Sequence, residues 1–561
     1  MKRFLAGLLT AALAAGLLAP AAGAAEPGFS DVPANGALAD EVAKAVDYGL
    51  MGGYNAATFG YSDPMTRAQF AAVLVRMMGW DTVTPQTPSY SDVPASLGWY
   101  GAIETAAAHD VADTGGSFRP GDAVTRGEMA EMLIRALGLK SAAERLDASS
   151  PAMPHSDTYS VIHGGTPFTD LPVGKKGYIT IAYTIGMTNG TSATTFSPNN
   201  TATRGQAAAM LVRIYEKLHA PTDFVHGFYA ISSYSQLGLA GDMDAVSAGW
   251  SRMTWDGETA TLRTTSADGN EYAIPSGYEE VTDHLSGRNI PLHLSVFMDG
   301  EDLKSLLASD TGRAQAVAQI VDEVTVDYRA IGENPYSGVT IDFEGLRSAQ
   351  REDFTAFLTA LDAELERLDK DLYVCVSPIL AGGYDVSYSG YDYAAIGDLA
   401  DKLILMAYDY DTREMGDFVG TTYYRTAATV PMDQVYLGLK VLTDRVDPDK
   451  VLLGFSARAA AWQIDGDGNL VSGTPVYPTT ETVAARLAQP DTVTGWSDTY
   501  QQSYAIYTTE DGGRYFLWYQ DDASIQAELR CARLLGVTGA SVWRLGQLPA
   551  TSGWNWNSLL G

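Results

Sequence analysis

The sequence predicts a multi-domain chain in which an all-α bundle of three repeats is followed by a (β/α)8 barrel with inserted elements. A short pattern recurs three times before residue 220, and each copy reads as helix, glycine-rich loop and helix. From residue 222 onward, eight short apolar segments alternate with helix-compatible stretches. The 561 residues, 46% of them hydrophobic, are enough to form the cores of about three domains.

Residues 1–25 read as a secretory signal peptide. Lys2 and Arg3 precede an apolar run of about 15 residues, and the segment ends in an Ala-Gly-Ala sequence. The alternative is a membrane anchor, but the run is shorter than the roughly 20 residues that span a bilayer. We therefore expect an exported protein without a membrane span in its mature form.

The chain is acidic, with 68 Asp and Glu side chains against 37 Lys and Arg and a formal net charge of −31. This charge argues against nucleic acid as a partner, because phosphate binding needs a basic surface. The two cysteines, Cys375 and Cys531, lie in apolar segments, where such residues are usually buried and inert. The lack of a disulfide framework suits a bacterial envelope protein.

Each repeat opens on an aromatic residue with an acid two positions later, and closes on Thr-Arg followed by Gln or Glu. The repeats span 26–82, 83–140 and 167–220, and 141–166 is an insertion or linker. The Thr and the Gln or Glu of the close predict a capping box, which satisfies free amides at a helix start. The opening acids are Asp31, Asp92 and Asp170, and the closing arginines are Arg67, Arg126 and Arg204.

Capping does not explain the arginine of the closing phrase. A cation in the first helical turn opposes the helix dipole, yet it recurs in all three repeats. Guanidinium and helix start together favour an anion such as a carboxylate or a phosphate. A structural salt bridge is the alternative that the sequence leaves open.

These repeats resemble the S-layer homology module, whose hallmark is an aromatic-x-Asp-Val opening and a Thr-Arg-Ala-Glu-like close. The resemblance implies a three-pronged helical bundle that binds pyruvylated secondary cell-wall polysaccharide through the closing arginines and the opening acids. The first repeat departs from the pattern, because Tyr61 stands where the other two carry Pro120 and Pro198.

The eight apolar segments after residue 222 are candidate strands. Because most of them are separated by helix-compatible stretches, they predict a TIM barrel over 222–561 with inserted elements. Periodicity alone leaves an open doubly wound sheet as the alternative. The segments read FVHGFYAI, MDAVSAGW, IPLHLSVF, YSGVTIDFEG, LYVCVSP, KLILMAYDY, KVLLGF and GASVWRLG.

The fourth of these segments carries two acids. The strand period of two places Thr340, Asp342 and Glu344 on one face, which is expected to be the lumen because the other face is apolar. Barrel enzymes place catalysis at the carboxyl ends of the strands, and mutual repulsion should raise the pKa of one acid. The alternative is a strand-end pair that only faces solvent or an arginine.

Two further segments place sugar-binding side chains at the same end of the barrel. Met406, Tyr408 and Asp409 lie near the end of the sixth segment, and Trp543 lies at the same level on the eighth. Tryptophan stacks on the apolar face of a pyranose, tyrosine donates a hydrogen bond, and a protonated carboxyl can protonate a glycosidic oxygen. Taken alone, Trp543 reads as a core residue, but together the set predicts a carbohydrate site.

These residues resemble glycoside hydrolase family 18, whose fourth strand carries Asp-Gly-x-Asp-x-Asp-x-Glu and whose sixth carries Met-x-Tyr-Asp. The match is closest to the branch of spore-cortex and peptidoglycan N-acetylglucosaminidases. It implies that Glu344 is the general acid and base, that Asp342 orients the substrate acetamido group, and that Tyr408, supported by Asp409, hydrogen-bonds that group. The acetamide oxygen itself attacks the anomeric carbon, and no metal or cofactor is implied. The remaining substrate contacts are Thr340, Met406 and Trp543.

The fourth strand departs from the family at two places, with Ser337 and Thr340 where acids are expected. Thr340 can hydrogen-bond Asp342 but cannot share its proton, so turnover or its pH optimum is expected to change.

The sequence therefore predicts a secreted, wall-bound hydrolase of β-1,4-linked N-acetylhexosamine glycans, either peptidoglycan or chitin-like. The alternative is a non-catalytic surface protein whose degenerate barrel only binds glycan. Retention of Asp342 and Glu344 favours the enzyme, and loss of the two earlier acids favours the alternative. The barrel is also expected to fold without the repeats.

Overall fold

The computed structural model describes residues 28–148, 166–230, 232–327, 332–378, 387–408, 410 and 414–549. The predicted signal peptide, most of the predicted linker and Asp409 lie outside the described residues. No helix in the described ranges is long and apolar enough to cross a membrane.

The regular elements of the N-terminal part, as described over 28–148 and 166–220, are helices joined by loops with isolated β-bridges. The helix Lys140–Ala148 is a difference from the sequence prediction, which placed an insertion or linker over 141–166. The helices are α1 Ala39–Asp47, α2 Arg67–Met77, α3 Tyr100–Ala108, α4 Arg126–Ala136, α5 Lys140–Ala148, α6 Lys176–Thr184 and α7 Arg204–Leu218.

The three repeats are joined in a ring. The helices α2, α4 and α7 each begin with a complete capping box, as the sequence predicts. The residues just before each helix form a β-bridge with the next repeat, and the third repeat bridges back to the first. These bridges are Thr66 to Ala123, Thr125 to Thr201 and Thr203 to Pro64.

The C-terminal part is a closed barrel of eight parallel strands. All eight predicted segments contain a barrel strand, and β1 pairs with both β2 and β13. That closure excludes the open doubly wound sheet. The barrel strands are β1 Phe224–Tyr229, β2 Ala245–Trp255, β4 Leu292–Met298, β5 Gly338–Phe343, β6 Asp371–Val376, β7 Lys402–Met406, β8 Val451–Ser456 and β13 Gly539–Trp543.

Helices surround the barrel and two sheet elements are added to it. The short strand β3 Ala260–Arg263 extends β2 as a hairpin. A four-stranded antiparallel sheet is inserted between β8 and β13, built from β9 Ala460–Ile464, β10 Val493–Ser497, β11 Gln502–Thr508 and β12 Arg514–Tyr519. The helices are α8 Leu237–Ala240, α9 Tyr278–Ser286, α10 Gly300–Ala308, α11 Asp310–Glu323, α12 Arg351–Arg367, α13 Tyr393–Leu399, α14 Met432–Thr443, α15 Thr480–Leu487 and α16 Asp522–Leu534.

The helical bundle packs directly on the barrel. Helix α5 lies against α14, and α7 lies against α16. Lys217 Nζ donates a hydrogen bond to the carbonyl oxygen of Leu534 at 3.0 Å, and Arg145 forms an ion pair with the buried Asp433. The sequence treats the two parts as independent, whereas the structure shows a shared interface.

Candidate active site

The fourth barrel strand, β5, presents its acids to the lumen and the mouth of the barrel. Asp342 is buried, and Glu344 follows the end of the strand and is half-buried. The backbone N–H of Glu344 donates to the carbonyl oxygen of Met298 on β4 at 2.9 Å. The neighbouring strand therefore holds Glu344 at the carboxyl end of the barrel, where catalytic residues of this fold lie.

Asp342 is the acid with the raised pKa. Burial, followed by the charge of Glu344, holds its pKa well above the usual value, while a hydrogen bond with Cys375 acts in the opposite direction. Its Oδ1 atom is buried and has no hydrogen-bond partner among the described residues. Because an unpaired buried carboxylate is costly, this environment favours the protonated acid.

Thr340 is fully buried on the lumen face of β5, as the alternation of the strand predicts. Its Oγ1 lies 2.6 Å from the hydroxyl oxygen of Ser247 on β2. Ser247 in turn lies 2.7 Å from Nε2 of His226, and Nδ1 of His226 lies 2.7 Å from Ser541. Because Thr340 lies at the level of these residues, its hydroxyl joins a polar chain across the lumen below Asp342. From the sequence, Thr340 is able to hydrogen-bond Asp342, whereas in the structure its hydroxyl bonds to Ser247.

Burial, followed by the charge of His293, lowers the pKa of His226 to about 3. His226 is therefore neutral near pH 7, with one ring nitrogen as donor and the other as acceptor. The polar chain is consequently uncharged and continuous from β13 to β5.

An apolar floor faces the acids from the other side of the lumen. Trp543 lies at the end of β13, and its ring centroid is 5.0 Å from that of Phe228 in a T-shaped contact. Met406 belongs to the same cluster, and Tyr408 and Trp543 pack against its edge. The structure therefore brings together three of the predicted sugar contacts.

A tyrosine on the loop after β3 forms a wall of the site that the sequence analysis missed. Tyr272 stacks on Phe297 with ring centroids 4.7 Å apart, and Arg252 lies over the Phe297 ring at 4.9 Å. Burial, followed by the charge of Asp342, raises the pKa of Tyr272 to about 12. Its hydroxyl therefore stays protonated near pH 7 as a hydrogen-bond donor. The sequence analysis missed Tyr272 because no local pattern indicates that this loop residue lies near the acids of β5.

The repeat arginines are built into the junctions between repeats. Each of these residues is at most 9% exposed, and burial lowers the pKa of each guanidinium from a value far above neutrality. Each Nε donates to a backbone carbonyl of the next repeat, and each guanidinium lies 4.8–4.9 Å from the ring of the same residue. The pairs are Arg67 with Phe118 at 2.7 Å, Arg126 with Phe196 at 3.0 Å and Arg204 with Phe59 at 3.0 Å.

The opening acids have a structural use within their own repeats. Each carboxylate accepts hydrogen bonds from the backbone N–H groups of the loop that carries that phenylalanine. Burial opposes ionisation, but these donors lower the pKa of each acid overall. The donors are Phe59, Gly60 and Tyr61 for Asp31, Phe118 and Arg119 for Asp92, and Phe196 and Ser197 for Asp170.

The three junctions differ in charge. Nη1 of Arg67 lies 2.9 Å from Oε1 of Glu128 in a salt bridge, and Arg119 also pairs with this carboxylate. By contrast, Arg126 donates to the hydroxyl of Thr188 at 2.9 Å, and Arg204 donates to a backbone carbonyl at 2.6 Å. Among the described residues, the structural salt bridge that was left open as the alternative therefore forms in one junction of the three.

A model of glycosyl hydrolases family 18 matches residues 198–547, more than half of the chain. The chain belongs to this family. S-layer homology domain matches cover 28–71, 89–130 and 167–208, so the chain also carries three of these domains. The two models overlap over the start of α7, whereas the first barrel strand begins at Phe224.

Similar proteins include the cortical fragment-lytic enzyme of Bacillus subtilis (strain 168), 23% identical over 230 residues, or 41% of this chain and 50% of that protein. An S-layer protein of Bacillus thuringiensis subsp. finitimus is 28% identical over 219 residues, or 38% of this chain and 24% of that protein. The chain thus spans about half the length, or less, of these curated relatives. The spore cortex-lytic enzyme SleL of Bacillus cereus has a similar solved structure, with 17% identity and a TM-score of 0.46 over 60% of this chain and 73% of that chain.

Cys375 lies beside the buried acid of this family 18 barrel, although the sequence analysis interpreted it only as a buried, inert residue. Val374 pairs with Ile341, so Cys375 and Asp342 follow side by side on adjacent parallel strands. Burial raises the pKa of the Cys375 thiol well above its usual value, so it is a protonated donor beside the acid. The proximity of Cys375 to Asp342 follows from the register of β5 and β6, which the sequence alone does not give.

Proposed function

We propose that the protein is a glycosidase that cleaves β-1,4-linked N-acetylhexosamine glycans while its S-layer homology domains hold it in the cell wall. The observation that carries the activity is the pair of Asp342 and Glu344 at the mouth of the barrel, facing the floor around Trp543. Membership of glycoside hydrolase family 18 supports the enzyme over the non-catalytic alternative. The retention of Asp342 and Glu344 at the carboxyl end of β5 supports it as well.

The two acids suit different steps because their environments differ. Glu344 is half-buried at the mouth, where it can protonate the leaving glycosidic oxygen and later activate water. Asp342 lies deeper and holds its proton, so it can donate a hydrogen bond to the acetamido group of the sugar. The acetamide oxygen then attacks the anomeric carbon as the glycosidic bond breaks, and water opens the cyclic intermediate with overall retention.

The floor and its neighbours would position the sugar for this reaction. Trp543 offers an apolar surface for one face of the ring, and Tyr408 lies beside it as a hydrogen-bonding group. Met406 fills the space below, and Asp409 is proposed to support Tyr408. Thr340 is proposed to act through the polar chain to Ser247, which keeps the lumen below Asp342 ordered.

We further propose that the protein is secreted and that its three S-layer homology domains bind secondary cell-wall polysaccharide. The arginines at the junctions support this, because Arg67 and Arg126 each line a cleft of about 190–200 Å³ that offers an anion a guanidinium group. The opening acids would contribute indirectly, by fixing the loops against which the arginines pack.

The proposed activity is tested by mass spectrometry of the products released from purified peptidoglycan and from chitin oligomers. The wild-type chain and the Glu344→Gln variant are compared on each substrate. New reducing ends with wild type and none with the variant support the proposal. Binding of glycan without any product from the wild type would favour the non-catalytic alternative.

A further inference from the structure

A cavity of about 420 Å³ with polar and apolar lining residues opens beside the floor of the candidate active site. It lies where β8 and β13 end, at the entrance to the inserted sheet, and Trp543 is part of its lining. A glycan with one sugar on Trp543 would therefore place a neighbouring sugar in this cavity. Its other lining residues include Arg458, Arg544, Tyr477 and Gln547.

Two guanidinium groups line this cavity. Arg458 lies over the ring of Tyr477, 4.2 Å from its centroid, which restricts the orientation of the guanidinium. Arg544 follows directly after Trp543 and is half-buried, so its charge lies at the edge of the floor. Among the described residues that line the cavity, Glu481 is the one acid, and it is exposed in the first turn of α15.

This concentration of positive charge contrasts with the rest of the catalytic half. From residue 222 onward the chain has 49 acidic and 22 basic side chains. An acidic surface of this kind repels anions, so a substrate carboxylate needs a local cationic site to enter the cleft. Arginine is well suited to that site, because its planar fork matches the two oxygens of a carboxylate.

We propose that this cavity binds a carboxylate carried by the hexosamine next to the sugar on Trp543, so that the preferred substrate is an acidic, muramic-acid-containing glycan. This inference rests on the proposed glycosidase activity. Chitin oligomers have no charge and would bring no carboxylate to either arginine. N-acetylmuramic acid carries a lactyl group whose carboxylate projects from the sugar ring, at the side of the glycan chain.

The carboxylate could belong to the lactyl group itself or to a peptide attached to it. Four substrates of equal sugar number separate these sources: a chitin oligomer, a peptide-free muramic glycan, the same glycan with its carboxyls amidated, and a peptide-bearing glycan. The kcat/KM of the full chain is measured on each. A higher kcat/KM on the peptide-free acid than on its amide identifies the lactyl carboxylate as the bound group. A high kcat/KM on the peptide-bearing glycan alone identifies a carboxylate of the peptide.

The arginines are tested with Arg458→Gln, Arg544→Gln and the double variant. Charge-assisted hydrogen bonds are each strong enough that the double variant should lower the ratio of kcat/KM on acidic over neutral glycan by about 10- to 100-fold. Arg458→Lys keeps the charge without the fork and should give an intermediate ratio. Arg486→Gln is the matched control, since Arg486 also lies over a tyrosine ring but does not line the cavity.

Two results would overturn this inference and leave the glycosidase proposal intact. One is an unchanged ratio in the folded double variant, and the other is a wild type that cleaves the amidated glycan as well as both the peptide-free acid and the peptide-bearing glycan. A wild type that cleaves none of the four substrates would instead refute the proposed function. Thermal melting of each variant shows whether a lost ratio comes from misfolding.

Discussion

Glu128→Gln should strengthen binding of the S-layer homology region to wall polysaccharide. In the structure the Glu128 carboxylate neutralises Arg67, and both side chains are nearly buried, with 13% and 10% exposed. The other two repeats already have glutamine at the equivalent position, and Gln69 and Gln206 complete the same capping boxes. The substitution therefore removes the charge while the helix cap is kept.

The size of the effect follows from the ion pair. Two unit charges about 4 Å apart near a protein surface interact by about 4 kcal/mol. Arg119 also neutralises Glu128, so an anion arriving at Arg67 recovers only part of this energy. We take about 1–2 kcal/mol, which corresponds to a Kd about 5- to 30-fold lower for a fragment short enough to occupy one junction.

The assay is calorimetric titration of the full chain with purified, fragmented wall polysaccharide. The reciprocal change Gln206→Glu should weaken binding, because it places a further carboxylate in the cleft that Arg126 lines. Glu216→Gln is the charge-matched control, because Glu216 pairs with Lys44 on the exposed surface and not with a junction arginine. Equal or weaker binding by Glu128→Gln would show that Arg67 does not accept the anion.

Four further outcomes are expected. Glu344→Gln should lower kcat by about 10²- to 10⁴-fold in a reducing-end assay while binding persists, because glutamine cannot donate the proton; an unchanged rate would refute the assigned role. The raised pKa of Asp342 means that the folded state holds a proton which the unfolded chain releases near its ordinary pKa, so stability is fully present below that value and is lost as pH rises through the raised one. Asp342→Asn should flatten this loss, which is at most about 1.4 kcal/mol per pH unit in denaturant titrations, and an identical pH dependence in both proteins would contradict it. Cys375→Ala should move the pH–rate profile to higher pH because a hydrogen bond that lowers the pKa of Asp342 is lost, whereas Cys375→Ser should restore it and Cys531→Ala should leave it unchanged. The fragment 222–561 should melt about 5–10 °C below the full chain, since α14 and α16 lose the helices that cover them, and an equal melting temperature would show that the interface adds no stability.

The barrel could be predicted from the sequence because each strand is an apolar run with a local signal. Alternation on β5 also placed Asp342 and Glu344 correctly at the mouth, since a strand period of two needs no tertiary information. The chain from Thr340 through Ser247 to His226 could not be predicted, because it depends on which residues of three different strands lie at one level. The contact between Cys375 and Asp342 could not be predicted for the same reason, because it depends on the register of two strands.

The contacts between the bundle and the barrel were also outside the reach of the sequence analysis. Helix α5 has a polar composition with few apolar positions, so it read as part of a linker. Its ion pair from Arg145 to Asp433 joins residues 288 positions apart, and no local pattern relates them. The arginines at the junctions were recognised as unusual, but their carbonyl partners lie in other repeats and only the ring of repeats reveals them.

The packing of the bundle on the barrel has a consequence for how far the enzyme can work. A catalytic domain on a flexible linker can move through a volume around its attachment point and reach many glycan chains from one position. Here Lys217 and Arg145 fix the cleft relative to the bundle, so under the proposed attachment each bound molecule would reach one narrow zone of the wall. Once the bonds in that zone were cut, the molecule would have to detach and bind elsewhere. The exchange rate of the attached protein, more than the chemical step, would then set the pace of wall turnover.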